Sequence, residues 1–355
     1  MKKLCFIFNF TSSNNDSSKQ GDIYAYIIGV ISQFFWAMSN IQLKTYRIYY
    51  PENFSTQSVT FWRSISILLI AYLSILKKGR TITKISEIKF KFWFFTRSLG
   101  NYFFIVLWII ELTYFRVSTA QCIANCSPIV VLILSSLILK ETFYIRYVIG
   151  VLLSLIGTIM IVLNDKKDEN ANLRNKTVFD ICVGLCIALG HMTFLAFSHF
   201  GQKMLCKEQM TPEIQNYYIG LFNAVPAFIA MLIENNTGLA NFWYVLYAMS
   251  NGIIFYLANY CMAEALNIME INKFIPMNYL RIVFIFIFGF LILGEKVFLT
   301  DFVGSAFIIG FQVYNVYYPV EKNKENNKLN ETSKKNIELI YYFYFINIHR
   351  LKIMN

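Results

Sequence analysis

The 355 residues are 56% hydrophobic and 15% charged, against roughly 45 to 50% apolar in an average soluble domain, and the mean hydropathy is +0.48. This balance excludes the two or three soluble domains that length alone would suggest. The formal charge of +11 calls for no nucleic acid, because a basic membrane face beside anionic lipid explains it.

Along the chain, Met1 to Phe10 has lysines followed by a short apolar stretch, as a signal peptide does, but Asn9 interrupts the stretch and no small-residue cleavage site follows. Residues 1–23 therefore read as a cytoplasmic tail. Ten apolar runs near the length that crosses about 30 Å of hydrocarbon come next: Tyr24 to Leu43, Gln57 to Leu76, Phe92 to Ile110, Ser118 to Leu139, Arg146 to Leu163, Asp180 to Phe200, Ile214 to Ile233, Phe242 to Ala263, Ile271 to Leu293 and Leu299 to Tyr318. In lipid such runs must be helices, since only a helix satisfies its backbone within one segment. The polar stretch Asn164 to Thr177 marks a loop within a linker over 164–179. Residues 319–355 form a second cytoplasmic tail, in which Ile337 to Ile348 is apolar but too short to span.

One pattern occurs twice. Leu137-Ile138-Leu139-Lys140-Glu141 precedes Gly150, and Leu291-Ile292-Leu293-Gly294-Glu295 precedes Gly304 at the same spacing, with an offset of 154 residues from Glu141 to Glu295. Glu111-Leu112 matches Ala265-Leu266 at that offset, although Pro128 falls opposite Ile282. Such self-similarity implies a duplicated unit. The offset contains five runs, and an odd number of spans inverts the second copy relative to the first, as in many secondary transporters. The fold expected is an all-α integral membrane protein of ten transmembrane helices arranged as two inverted five-helix repeats, 24–163 and 180–318.

An even number of spans leaves both termini on one side. Placing them in the cytoplasm puts 20 of the 32 Lys and Arg inside and 8 outside, six of the inner ones in Lys77 to Lys91, as the positive-inside rule requires. Asn-x-Ser/Thr sequons lie on outer loops at Asn53, Asn175 and Asn235 but also at inner Asn9, Asn15 and Asn330, so they do not identify a compartment.

The stretch Ser118 to Val162 resembles the EamA domain of the drug/metabolite transporter superfamily, in its small-residue opening, its Ser127-Pro128, the glutamate of the following loop and the glycines of the fifth span. Phe61-Trp62-Arg63 and Thr96-Arg97-Ser98-Leu99-Gly100 look like the arginine-bearing starts of that family's second and third spans, and Ala265 to Gly310 resembles the matching part of a second copy. The resemblance covers about residues 24 to 318. It implies a ten-helix carrier working by alternating access around a central cavity between the repeats. Glu111, where the family usually has alanine, and Arg281, opposite Ser127 of the first copy, depart from the pattern.

Arg63, Arg97 and Arg281 are the sharpest local signals, since a charge at the centre of a span costs at least about 2.5 to 3.5 kcal/mol. Depth allows Arg63 to pair with Glu111 near the outer face and Arg97 with Glu264 near the inner one; both arginines read as structural. Arg281, near mid-membrane, has no evident partner, so it reads a substrate anion or is held by a backbone carbonyl or an unseen structural group. Gln121, Asn125 and Pro128 share one helical stripe, and Pro276 precedes Asn278 and Arg281, where a missing backbone donor frees carbonyls for a cavity. These groups line a cavity or simply hold helices together. Tyr256 and Asn259, with Trp36 and Asn40, are weaker candidates of the same kind. Glu141 and Glu295 sit where helix caps or turns are ordinary, and Gly150 and Gly304 permit close packing.

Enzymatic readings find little. His191 and His199 are too far apart in azimuth to share a metal, and Cys122 with Cys126, like Cys182 with Cys186, reads as a pair of buried small hydrophobes. No phosphate loop, HExxH helix or nucleophile elbow is present. The function expected is transport of a small organic solute, anionic or zwitterionic; the alternative is a non-transporting structural or regulatory membrane protein on the same fold. A membrane enzyme would need a polar cluster at one interface. The partners expected are the lipid bilayer and a small-molecule substrate, with a homodimer as an open option, and no cofactor, metal or nucleic acid.

Overall fold

The computed structural model describes residues 14–49, 55–114, 123–124, 126–139, 149–153, 156, 178–234, 242–294, 302–304, 306–307, 309–311 and 314. The chain divides into two compact units, Met1–Gln312 and Val313–Asn355. Every described residue except Tyr314 belongs to the first. Gln121, Asn125, Glu141, Glu295, the linker's 164–177 and the distal C-terminal tail lie outside the described residues.

The described residues are helical, with no strand among them. The helices are α1 Asn14–Tyr49, α2 Thr56–Lys77, α3 Lys91–Tyr114, α4 Ser127–Leu134, α5 Val178–Lys207, α6 Pro212–Ile233, α7 Phe242–Ile268, α8 Ile271–Phe274 and α9 Leu280–Leu293. Helical residues occur in each of the ten expected runs. Among the described residues, five stretches are long and apolar enough to cross a membrane: Thr56–Lys77, Lys91–Glu111, Cys182–Lys207, Pro212–Ile233 and Ile271–Ile292.

Local chemistry sets the ends. Ser55 caps α2 by accepting from the Ser58 amide at 3.2 Å, and its hydroxyl donates to Glu234 at 2.6 Å, tying the start of α2 to the end of α6. Pro212 opens α6, where its missing N–H would be unpaired anyway. Gly294 ends α9 with φ of 66°, a left-handed conformation that costs glycine least. Lys203 of α5 donates to the carbonyls of Leu266 and Met269 at 2.6 and 2.7 Å, which satisfies the last turn of α7.

Two runs differ from the uniform helices expected. The fourth has a turn at Cys126 and starts α4 at Ser127, with Pro128 in its first turn, and passes into a π-helical segment at Ser135–Leu139. The ninth is α8, a 3₁₀ segment at Ile275–Tyr279 with Pro276 in its first turn, then α9. In both the proline supplies no amide proton and resists an uninterrupted α-helix. Ser135 donates to Asn272, which joins the two irregular runs.

α1 packs on α7 and α9, α2 on α6 and α7, α3 on α5 and α6, and α4 on α5. Trp36, Ile67, Ala71, Ile219, Phe255, Tyr256 and Ala258 form one core cluster from four helices. α2 and α7 approach closely at Gly252, where a Cβ would sit 2.3 Å from the Arg63 carbonyl oxygen. Gly150 is likewise covered by the Phe311 ring, 1.7 Å from where a Cβ would stand, and Gly304 is buried. Large apolar side chains such as Leu73, Ile233, Phe242 and Leu291 point outward, while Gln33, Arg97, Asn101 and Glu111 are buried. That inside-out polarity suits a bundle whose solvent is lipid.

Candidate functional site

Six helical segments converge on a partly open cleft. α1 contributes Trp36, Asn40 and Leu43; α2 Arg63; α3 Phe104, Ile105, Trp108 and Ile109; the turn before α4 Ala124; α5 His191 and Leu195; and α9 Arg281. Apolar and aromatic walls thus surround a few convergent polar groups, which is the usual make-up of a small-molecule site.

Arg281 is buried. Its Nε and Nη2 donate to the Gln33 side-chain oxygen at 3.2 and 3.1 Å, and its guanidinium carbon lies 4.6 Å over the Trp36 ring. Gln33 in turn donates to Asn278 at 3.0 Å. Arg63, also buried, lies 3.7 Å over the Phe255 ring. Its Nε lacks a hydrogen-bond partner. Trp36 and Phe255 meet edge to face at 4.7 Å, so two cation–π contacts share one aromatic pair. Neither arginine faces a carboxylate among the described residues.

Neither expected ion pair forms. Glu111 is fully buried against His191, whose Nδ1 is 2.8 Å from the Glu111 Oε2, although neither atom has the alignment of a hydrogen bond. Arg97 donates from Nη1 to Ser198 at 2.9 Å and from Nη2 to Asn259 at 2.5 Å. Glu264 is only partly buried and makes no ion pair among the described residues. The physical reason is azimuth: depth in the membrane matched each arginine to an acid, but the helices point those side chains at different neighbours.

The sequence-derived candidates therefore separate. Arg281, Trp36 and Asn40 line the cleft, and Asn278 supports Arg281 through Gln33. Asn259 is occupied with Arg97, and Tyr256 donates to Ser74 at 3.1 Å outside the cleft lining. Pro128 and Pro276 are buried at irregular helix starts. Arg63, expected to be structural, and His191, considered only as a metal ligand, are both in the cleft wall. Gln33 is not legible in the sequence, because a lone glutamine inside an apolar run carries no periodic signal. Cys182 and Cys186 are exposed on the outer face of α5 rather than buried.

A second polar layer lies apart from the cleft. Besides Arg97, Ser198 and Asn259, it holds Gln202, which donates to the Asn259 carbonyl at 3.2 Å, and His199, within electrostatic reach of Arg281 and Arg97. Beyond it Glu213 is bridged by Lys78 and by Arg80 at 3.0 Å. Burial pulls the Lys78 ammonium down, yet its hydrogen bonds to Glu213 and Tyr260 outweigh this and raise it above the usual lysine value.

No curated protein sequence matches the chain. Among solved structures 29 chains match; one, a crystal structure of a protein, is similar with a TM-score of 0.68 at 13% identity, over 82% of this chain and 97% of the other. At that identity the likeness shows the fold alone. The profile of the EamA-like transporter family matches twice, over residues 23–163 and 183–314, which together make up most of the chain. Long apolar helices, inward-turned polarity and this double match agree: the protein is a multi-pass membrane protein that belongs to the EamA-like transporter family.

Proposed function

We propose that the protein carries a small organic anion across the membrane by alternating access, with the cleft as the substrate site. The observation that carries this reading is the pair Arg63 and Arg281, two buried guanidinium groups in one cleft without an acidic partner among the described residues. An uncompensated cation in a bundle is costly, and a planar fork of donors suits an oxyanion. The aromatic walls suit an apolar body attached to that anion.

Helix pairing supports inverted repeats. Exchanging each run with the one five places away turns the α1–α7 contact into α5–α3, α2–α7 into α6–α3, and α1–α9 into α5–α4, while α2–α6 maps onto itself. All of these contacts are present. With both termini cytoplasmic, the cleft belongs to the outer half. The layer of Arg97, Ser198 and Asn259, with the Glu213 bridges beneath it, then closes the inner half, as an outward-facing carrier requires.

The test is a thermal-shift screen of organic anions on the purified protein, because a ligand that binds only the folded state raises its apparent stability, followed by uptake of each hit into proteoliposomes. Hits that are taken up by the wild type and lost in Arg281→Ala support the reading. Binding without uptake favours a non-transporting protein, and uptake indifferent to Arg281→Ala removes the anion site.

A further inference from the structure

Glu111 and His191 are unused by the anion site, yet His191 shares its wall. The two come from different helices, α3 and α5, and are almost fully buried, 0% and 2% exposed. His191 is held in place by Phe104, stacked at 5.6 Å and 19°, and by Trp108 at 5.1 Å. His191, 2.8 Å away, is the one titratable group at ion-pair distance from Glu111 among the described residues.

We propose that Glu111 and His191 form a proton-binding site that loads together with the anion, so that the carrier moves the anion with a proton. This rests on the anion reading of the cleft. The other charged side chains lining the cleft are Arg63 of α2 and Arg281 of α9; the α1 wall, Trp36, Asn40 and Leu43, and Ala124 before α4 carry no titratable group. α6 and α7, which pack on α3 and α5, place no residue in the cleft lining. Beyond the lining, His199 of α5 lies within electrostatic reach of Arg97 and Arg281.

The cleft already holds two guanidinium groups, Arg63 and Arg281, and His191 shares its wall. An anion seated in the cleft adds negative charge there, and with it a proton held by Glu111 and His191 becomes favourable. A proton taken from the outer solution thus binds His191, its charge balanced by Glu111, and leaves when the anion leaves on the other side. By linkage, the proton tightens anion binding by the same factor as the anion tightens proton binding.

Benzenesulfonate is a suitable probe because it stays ionised at every pH of interest, so any proton taken up resides on the protein. Calorimetric titration in buffers of different ionisation enthalpy should show proton uptake on binding to the wild type. In proteoliposomes, an acid-outside gradient of one pH unit should raise benzenesulfonate accumulation about tenfold for one coupled proton. Glu111→Gln and His191→Gln should bind the probe with no proton uptake and respond to no gradient. Binding without proton uptake in the wild type, or unchanged uptake in His191→Gln, overturns the proton site and leaves the anion site standing. No binding at all overturns both. Should a variant fail to fold, the wild-type proton count decides alone.

Discussion

Gln33 on α1 accepts two hydrogen bonds from the Arg281 guanidinium, at 3.2 and 3.1 Å, and donates its own amide to Asn278 at 3.0 Å. A neutral amide orients the cation without cancelling its charge. Lysine in place of Arg281 keeps the charge but loses the fork. Arg281→Lys and Gln33→Ala are therefore each expected to weaken benzenesulfonate binding by about tenfold, or 1.4 kcal/mol, with Arg281→Ala weaker still. Calorimetry on folded, monodisperse protein measures this, and equal affinities across the series would show that the guanidinium does not meet the anion.

Arg97 and Arg63 differ in what they hold. Arg97 bonds Ser198 and Asn259, and hydrogen bonds to charged groups contribute about 1.5 to 3 kcal/mol each; Arg63 makes a ring contact with Phe255, of about 0.5 to 2 kcal/mol. Thermal melts of detergent-solubilised protein should show Arg97→Ala as the more destabilised variant. Arg63→Ala should instead lose anion affinity. A reversed order of melting temperatures would contradict this division of roles.

At Gly252 a methyl group would lie 1.9 Å from the Ser66 hydroxyl and 2.3 Å from the Arg63 carbonyl, whereas at Gly100 the nearest neighbour is Phe194 at 3.8 Å. Gly252→Ala must part α2 from α7 and is expected to cost about 1 to 3 kcal/mol, as overpacking does. Gly100→Ala is the matched control and should be nearly neutral. Comparable melting temperatures for the two variants would mean that α2 and α7 do not approach this closely.

Topology is open to a direct measurement. In a background with the seven native cysteines replaced, Lys84→Cys and Lys328→Cys should react with an impermeant maleimide only from the cytoplasmic side, and Lys166→Cys only from the other. Labelling of Lys84→Cys and Lys328→Cys from opposite faces would eliminate an even number of spans, and the inverted repeat with it.

Much of this molecule is legible in one dimension. Run length against bilayer thickness and the 154-residue offset between Glu141 and Glu295 are properties of the chain itself, and they point to long membrane helices and to a duplicated unit, in keeping with the family to which the chain belongs. Arg281 stood out for the same reason: a charge in an apolar run is conspicuous wherever it faces. The missing amide proton of Pro276 is likewise a local fact, although the π-helical and 3₁₀ segments in the runs of Pro128 and Pro276 were not expected.

What a side chain meets is not local. Depth along a span can be counted from the sequence, but azimuth depends on how each helix is rotated and which neighbours it packs against, and an offset of one residue turns a side chain by about 100°. Only the tertiary structure could therefore exchange the expected Arg63–Glu111 and Arg97–Glu264 pairs for Phe255, His191, Ser198 and Asn259. For the same reason it alone could place Gln33 beneath Arg281 and bring His191 from a discarded metal candidate into the cleft wall. Hydropathy and repeat spacing determined which segments are helices; the packing of those helices decided which charges meet no counterion among the described residues, and so where chemistry can occur.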